Sequence, residues 1–324
     1  MCTAVNYNSH DHYFGRTLDW GFSYGEKVAV TPRNYSFKFE KLPDIKNHFA
    51  IIGMAVVAEN YPLYFDATNE KGLSMAGLNF PKNAVYLPFK ENFYNVTVSE
   101  IIPWVLAQCE DVEDARKIIE KTNVLNLQPD PNFPLPPMHW IISDKIKSIT
   151  VEPSNDGLKI YDNPVGVLAN NPPFPYHMYN LSNYMNLTSR DPENSFSNKI
   201  DLNIFCKGMG SIGLPGDPSS ASRFIRAAYC SLNSVEFESE GESVAQFFHI
   251  LGAVEQVEGC AHADENSFEK TLYTSCCNTD KGIYYYRTNL NNQINAVNMY
   301  KENLDADVLS TFELQREQCI NYQN

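Results

Sequence analysis

Strict alternation marks the start of the chain. Thr3, Val5 and Tyr7 alternate with Cys2, Ala4 and Asn6, a polar turn follows at Ser9 to Asp11, and a second strand-like run extends from His12 to Leu18. Together they predict a hairpin at the chain terminus. Further strands are predicted at Lys27 to Thr31, Tyr35 to Phe39, Ile51 to Ala58, Leu63 to Phe65 and Leu73 to Leu78. The polar run Asn69 to Gly72 turns the chain between the last two. The pattern then changes to a helical period. Ser99 is placed to cap a run carrying Ile101, Ile102, Val105 and Leu106, and Val112 to Lys121 puts Val112, Ala115, Ile118 and Ile119 on one face. The proline-rich stretches Gln128 to Pro137 and Asn170 to Tyr176 read as irregular loops. Strands are predicted at Met138 to Ser143, Ser148 to Glu152 and Leu158 to Tyr161. Amphipathic helices follow at Ser220 to Leu232 and Ser243 to Val257, then strands at Thr271 to Cys276, Ile283 to Arg287 and Ile294 to Met299. Strand runs surrounding two helical blocks, with no repeat or linker, predict one layered α+β domain over 1–324.

Charge and cysteine usage narrow the function. Lys and Arg number 25 against 39 Asp and Glu, a net charge of -14, which argues against a nucleic-acid partner. An anionic ligand gains nothing from that overall field, so apolar burial and a few local cations must hold it. The N-terminus lacks a secretory pattern and no run approaches a membrane span, so a cytoplasmic, membrane-free protein is expected. Eight scattered cysteines form no CxxC pair, which predicts reduced thiols and no zinc site; no cofactor is expected.

Cys2 stands apart from the other cysteines. Met is commonly trimmed before a small second residue, and trimming puts a thiol and a free α-amine on one residue. That amine has a reference pKa of about 8, so at neutral pH a fraction is free to take the thiol proton. The predicted hairpin returns Arg16 and Asp19 to the terminus. Asp19 is expected to orient the ammonium, and Arg16 to favour the thiolate. Other candidates carry less. His139 reads as a core histidine, His10 and His12 as solvated residues beside a turn, and the glycines at 208, 210, 213 and 216 as a turn without the lysine of a phosphate loop.

The runs MCTA, FGRTLDW, NEKGLSMAGLNFP, HWIISD, ANNPPF, GLPGDPSSASRF and DKGIYYYRTNLNNQINAV occur in order along nearly the whole chain. In them the sequence resembles the choloylglycine hydrolase family, and the bile salt hydrolases of Gram-positive gut bacteria in particular. The resemblance implies a four-layer αββα N-terminal-nucleophile hydrolase fold. It implies that Cys2 is the nucleophile and its amine the base, with Arg16 and Asp19 positioning them. It implies an oxyanion hole from the Asn79 backbone N–H and the Asn170 side chain, with Arg223 completing the network. Leu18, Phe65 and Phe133 are implied as pocket walls, conjugated bile salts as substrates, and a homo-oligomer, a tetramer by analogy. Asn79 favours bile salts over penicillin V, since the penicillin acylases tend to carry Tyr there. Two positions depart from the family pattern: Thr17 replaces an Asn and Ala169 replaces a Thr. Three alternatives stay open: a penicillin V acylase or other N-acyl amide hydrolase, acyl transfer to an amine, and a non-catalytic binding protein if Met1 is retained.

Overall fold

The computed structural model describes residues 1–127 and 135–324. In chain order the elements are β1 (Cys2–Asn8), β2 (His12–Trp20), β3 (Lys27–Thr31), β4 (Ile51–Ala58), β5 (Tyr61–Asn69), β6 (Ser74–Asn79), β7 (Tyr94–Val96), α1 (Ile101–Leu106), α2 (Val112–Ile119) and β8 (Thr122–Val124). They continue with β9 (Met138–Ser143), β10 (Ser148–Ser154), β11 (Gly157–Asp162), β12 (Val167–Leu168), α3 (Phe174–Leu181), α4 (Ser220–Asn233), α5 (Glu240–Gly252), β13 (Lys270–Asn278), β14 (Ile283–Thr288), β15 (Asn291–Asn298) and β16 (Ser310–Glu313).

Two antiparallel sheets carry the fold. The first has six strands in the order β12-β1-β2-β13-β14-β15, and the second has eight in the order β11-β10-β9-β6-β5-β4-β3-β16. Their facing sides share one core, in which Ala4, Phe14 and Leu18 from the first sheet meet Met54, Ala76, Leu78 and Ile141 from the second. Helices α4 and α5 cover the outer face of the first sheet, with Phe224, Phe247 and Leu251 buried against it. Helices α1 and α2 cover the second through Ile101, Val105, Val112 and Ile119, which pack on Ile51, Ala67 and Met75. The result is the expected αββα layering of an α+β fold. The central strands β1, β2, β6, β9 and β13 are buried on both faces because each sheet lies between a helical layer and the other sheet.

The terminal hairpin forms in the predicted register, with Cys2 opposite Leu18, Ala4 opposite Arg16 and Val5 opposite Gly15. The turn after β5 also forms as expected. Asn69 Oδ1 accepts from Lys71 N and Leu73 N, and Gly72 adopts φ +88.

Several expectations need correction. Tyr35 to Phe39 is no strand and contributes only a single bridge from Phe37 to Ile45. Three aromatics alternating with polar residues there fill a pocket against His48, Tyr61 and Trp104 without pairing further. Ser99 does not cap α1, whose first residue follows Glu100. The loop expected through Tyr176 is interrupted by α3, because Pro173 stands at its N-cap and Pro175 lies in its first turn, where the missing N–H costs nothing. Helix α5 begins three residues earlier than expected, at the Ser239 cap, whose hydroxyl accepts from Glu242 N. His12 is fully buried and not solvated, its Nδ1 meeting Thr279 Oγ1 at 2.8 Å. The loop expectation for 128–134, and Phe133 within it, lie outside the described residues.

Candidate active site

Cys2 opens β1, so its surroundings follow from the hairpin register. Directly opposed residues in an antiparallel pair point to the same face. Cys2 therefore shares the inter-sheet face with Leu18 and Arg16, while Thr3, Thr17 and Asp19 face the α4 layer.

Arg16 is fully buried on the inter-sheet side. Its guanidinium donates to Gly77 O at 2.5 Å, Phe65 O at 3.2 Å and Thr17 O at 3.2 Å. Its Nη2 has no partner among the described residues. Burial opposes its charge, but Cys2, Tyr273, Asp66 and Asp19 outweigh that and hold it above its ordinary value. Asp66 is itself held by Tyr273 Oη at 2.7 Å, Tyr284 Oη at 2.6 Å and Ser275 Oγ at 3.1 Å.

Asp19 is equally buried on the other face. Thr271 Oγ1 donates to its carboxylate at 2.6 Å and Thr17 Oγ1 at 3.1 Å. Burial raises its pKa, while Arg223, the terminal ammonium and both hydroxyls pull it back. The Met1 ammonium does not touch this carboxylate. It donates instead to the Asp19 carbonyl at 2.7 Å and to Glu269 Oε2 at 2.8 Å. Thr17 also accepts from Thr3 N at 3.2 Å, so the residue that departs from the family pattern still ties β1 to Asp19.

Asn170 follows the edge strand β12 and bridges the two sheets. Its Oδ1 accepts from Cys2 N at 2.9 Å and from Arg223 Nη2 at 2.7 Å, while its Nδ2 donates to Asn79 O, at the end of β6, at 2.7 Å. Its backbone is fixed on both sides: Asn170 N donates to Ser220 Oγ at 2.8 Å, and its carbonyl meets His177 Nε2 at 2.9 Å. Arg223 lies in the first turn of α4, below the Ser219 cap. It reaches across to Cys2 O at 2.5 Å and Thr3 Oγ1 at 2.6 Å, and its Nε donates to Pro218 O at 3.0 Å. Burial draws its guanidinium below the usual value, opposed by Asp19, Cys2 and Glu269.

Cys2, Arg16, Asp19, Asn79, Asn170 and Arg223 are thus gathered around one point by β1, β2, β6, the β12 exit and α4. Leu18 is buried directly opposite Cys2. Phe65 is half-buried, and its ring starts an aromatic chain through Tyr24, Phe22 and Trp20 with centroid spacings of 5.9, 5.1 and 6.2 Å. Phe22 and Tyr24 are exposed, and sequence reasoning passed over both, as it did Thr271, Glu269, Ser220 and His177. The signal for Phe22 and Tyr24 was the pair of aromatics in the FSYG run just after the hairpin. His139 is a satisfied core residue, stacked on Phe80 and bonded to Ala169 O. Among the described residues no group of three or more His, Cys, Asp or Glu is placed to hold a metal. A depression of about 800 Å³ lined by Asn6, Arg116, Lys147 and Asp162 lies at the opposite end of β1, away from Cys2.

This arrangement supplies a thiol, an adjacent amide that trimming would convert to an amine, buried cations, and a side-chain amide at Asn170 that bridges Cys2 and Asn79. Such a set suits acyl transfer from an amide. Comparisons with known proteins agree. The family described as linear amide C–N hydrolases, choloylglycine hydrolase family, matches residues 2–312. A bile salt hydrolase/transferase of Lactiplantibacillus plantarum is 50% identical over 98% of both chains. A conjugated bile acid hydrolase of Lactobacillus gasseri is 37% identical over 96% of this chain and 100% of its own. A solved variant of conjugated bile acid hydrolase from Clostridium perfringens superimposes over 100% of both chains with TM-score 0.92 at 36% identity. Penicillin V acylase from Agrobacterium tumefaciens shares the fold, with TM-score 0.76 at 18% identity over 99% of this chain and 94% of its own. The chain belongs to the choloylglycine hydrolase family of linear amide C–N hydrolases.

Proposed function

We propose that the protein hydrolyses the amide bond of glycine- and taurine-conjugated bile salts, with Cys2 as nucleophile once Met1 has been removed. The observation that carries this reading is the convergence of Arg16, Asp19, Asn170 and Arg223 on the two ends of one residue, Cys2. In the chain with Met1 in place, the Cys2 nitrogen is an amide and is no base; after trimming it becomes a primary amine beside the thiol.

The reaction then runs in balanced steps. The amine takes the thiol proton and the sulfur attacks the substrate carbonyl carbon. The oxyanion is received by the free Nδ2 hydrogen of Asn170 and the Asn79 backbone N–H. As the intermediate collapses the C–N bond breaks, and the ammonium returns its proton to the leaving nitrogen of glycine or taurine. Water, its proton taken by the same amine, adds to the thioester carbonyl; the C–S bond then breaks, the ammonium returns the proton to the sulfur, and the free bile acid leaves. An amine in place of water would give acyl transfer, an activity that the name of the Lactiplantibacillus bile salt hydrolase/transferase includes.

Leu18 and the aromatic chain from Trp20 to Phe65 form the apolar wall against which a rigid sterol would lie. Residues 1–324 are taken to act as one domain, in a homo-oligomer in the cytoplasm. Among the described residues no helix is long and apolar enough to cross a membrane.

The test pairs substrates with a variant. Purified protein is incubated with glycocholate, taurocholate and penicillin V, and the released amine or acid is quantified. Both bile salts are expected to be cleaved much faster than penicillin V, and Cys2→Ser to be inactive while still folded. Faster cleavage of penicillin V overturns the substrate assignment. An active Ser variant, or activity in a chain whose intact mass retains Met1, overturns the mechanism.

A further inference from the structure

Glu269 has no task in the steps above, yet its position calls for one. It immediately precedes β13, and its backbone is fixed, Glu269 N donating to Ala261 O at 2.8 Å. Its side chain is only 10% exposed and lies 2.8 Å from the Met1 ammonium. The neighbouring Lys270 does not neutralise it, because that ammonium is turned to Glu258 at 2.6 Å. A largely buried carboxylate needs a cation, and here the cation is the chain terminus. When Met1 leaves, that partner leaves too. The new ammonium is the Cys2 nitrogen, one residue along the strand, and backbone dimensions place it no more than about 6.5 Å from the same carboxylate.

We propose that Glu269 is a positioning residue for the chain-terminal ammonium, clamping that of Met1 before trimming and holding that of Cys2 afterwards. This inference rests on the reading of Cys2 as nucleophile. In the active form the thiol and amine share a single proton, so activity fails at low pH when both are protonated and at high pH when neither is. A nearby negative charge favours the more protonated form at each step and raises both limits. Removing that charge lowers both.

Other charges also lie around Cys2. Arg16 and Asp19 come from β2, with Asp66 of β5 behind Arg16, and Arg223 comes from α4. Tyr24 comes from the loop before β3, and its hydroxyl feels both Cys2 and Glu269. These groups remain in a Glu269 variant, so the difference from the parent isolates Glu269.

At this distance one charge is worth about half a pH unit with the screening of water and about two with the effective dielectric of a protein site. The experiment compares the parent with Glu269→Gln, Glu269→Ala and Glu269→Asp. Each is made behind a cleavable leader that leaves Cys2 first, as verified by intact mass. The probe is kcat/KM for taurocholate across about pH 4 to 9. Gln and Ala are expected to move both limbs of the profile down by about 0.5–2 units, and Asp to restore them. Limbs that stay in place in whichever uncharged variant folds, whatever the loss of rate, would reduce Glu269 to a structural residue and overturn the proposal. An inactive parent would reject the reading of Cys2 itself, and this inference with it.

Discussion

Asn170 tests how the proposed oxyanion hole is built. Its Oδ1 faces two donors, Cys2 N and Arg223 Nη2, and its Nδ2 faces the Asn79 carbonyl. Only one orientation of the amide satisfies all three, since a flipped amide would point hydrogens at donors. One Nδ2 hydrogen remains for the substrate. Asn170→Ala removes that donor, a loss of about 10²–10³ in kcat, or about 2.7–4 kcal/mol of transition-state stabilisation. It also strips an acceptor from two buried donors at about 1–3 kcal/mol each. Arg223 keeps Cys2 O, Thr3 Oγ1 and Pro218 O, so the expected destabilisation is about 2–4 kcal/mol, a few degrees in Tm for a chain of this size. Asn170→Asp separates the two effects. It keeps the shape and the acceptor beside Arg223 but sets an oxygen where Nδ2 met the Asn79 carbonyl. We expect kcat to fall as far as in the Ala variant and Tm to fall less. The assay is initial-rate taurine release from saturating, sub-micellar taurocholate, with thermal melts of the same preparations. An Asp variant with near-parental kcat, or either variant with kcat intact and KM raised, would refute the donor role.

Two further predictions concern the frame. Burial lowers the His12 pKa from 6.5 to about 4, so as pH falls the unfolded chain takes up the proton first. The stability of the neutral buried ring is therefore lost between about pH 6.5 and 4, by up to about 3 kcal/mol. His12→Asn should melt below the parent at pH 7 and approach it by pH 4, whereas a gap constant with pH would refute this. A Cβ on Gly15 would lie 2.0 Å from the Ser275 carbonyl oxygen, backbone against backbone between two central strands, so Gly15→Ala should yield little folded protein. Gly241→Ala, at an open position in α5, should raise stability by about 0.5–1 kcal/mol. Equal melting temperatures for the two glycine variants would contradict the packing argument.

Much of this arrangement was legible in the sequence because β-structure with one buried face writes its register into the chain. The alternation from Cys2 to Tyr7 and the turn at Ser9 to Asp11 place Arg16 and Asp19 beside the terminus without any tertiary knowledge. Asn79, Asn170 and Arg223 are different. They converge from β6, the β12 exit and α4, and only the resemblance connected them with Cys2. The residues that escaped notice act through partners distant in sequence. Thr271 bonds Asp19 across 252 positions and Glu269 meets Met1 across 268, and neither has a local pattern to announce it. His12 was misread for a related reason. Beside a turn a histidine is ordinarily solvated, but here Thr279 folds over it. Short elements such as β7, β8, β12 and β16 exist only through their partners, and two to four residues cannot display a period.

On the proposed mechanism the hairpin does more than deliver residues to the terminus. Alternation along β2 sends Arg16 to one face and Asp19 to the other, with Thr17 between them bonded to Asp19. The Cys2 sulfur projects toward the arginine side, into the space between the sheets. The nitrogen lies where the acceptors gather: the Asn170 Oδ1, the Asp19 carboxylate braced by Thr271, and Glu269. Arg16 thereby stands on the sulfur side, while Asp19 and Glu269 stand on the nitrogen side, with Arg223 tied through Asn170 to the backbone between them. Moving a proton from sulfur to nitrogen then runs along the field instead of against it. A histidine base would need its own strand and its own orienting carboxylate. Here a period-two strand, entered at its first residue, performs both tasks, and the remaining constraint falls on the chain terminus: nothing can precede Cys2 in the working enzyme.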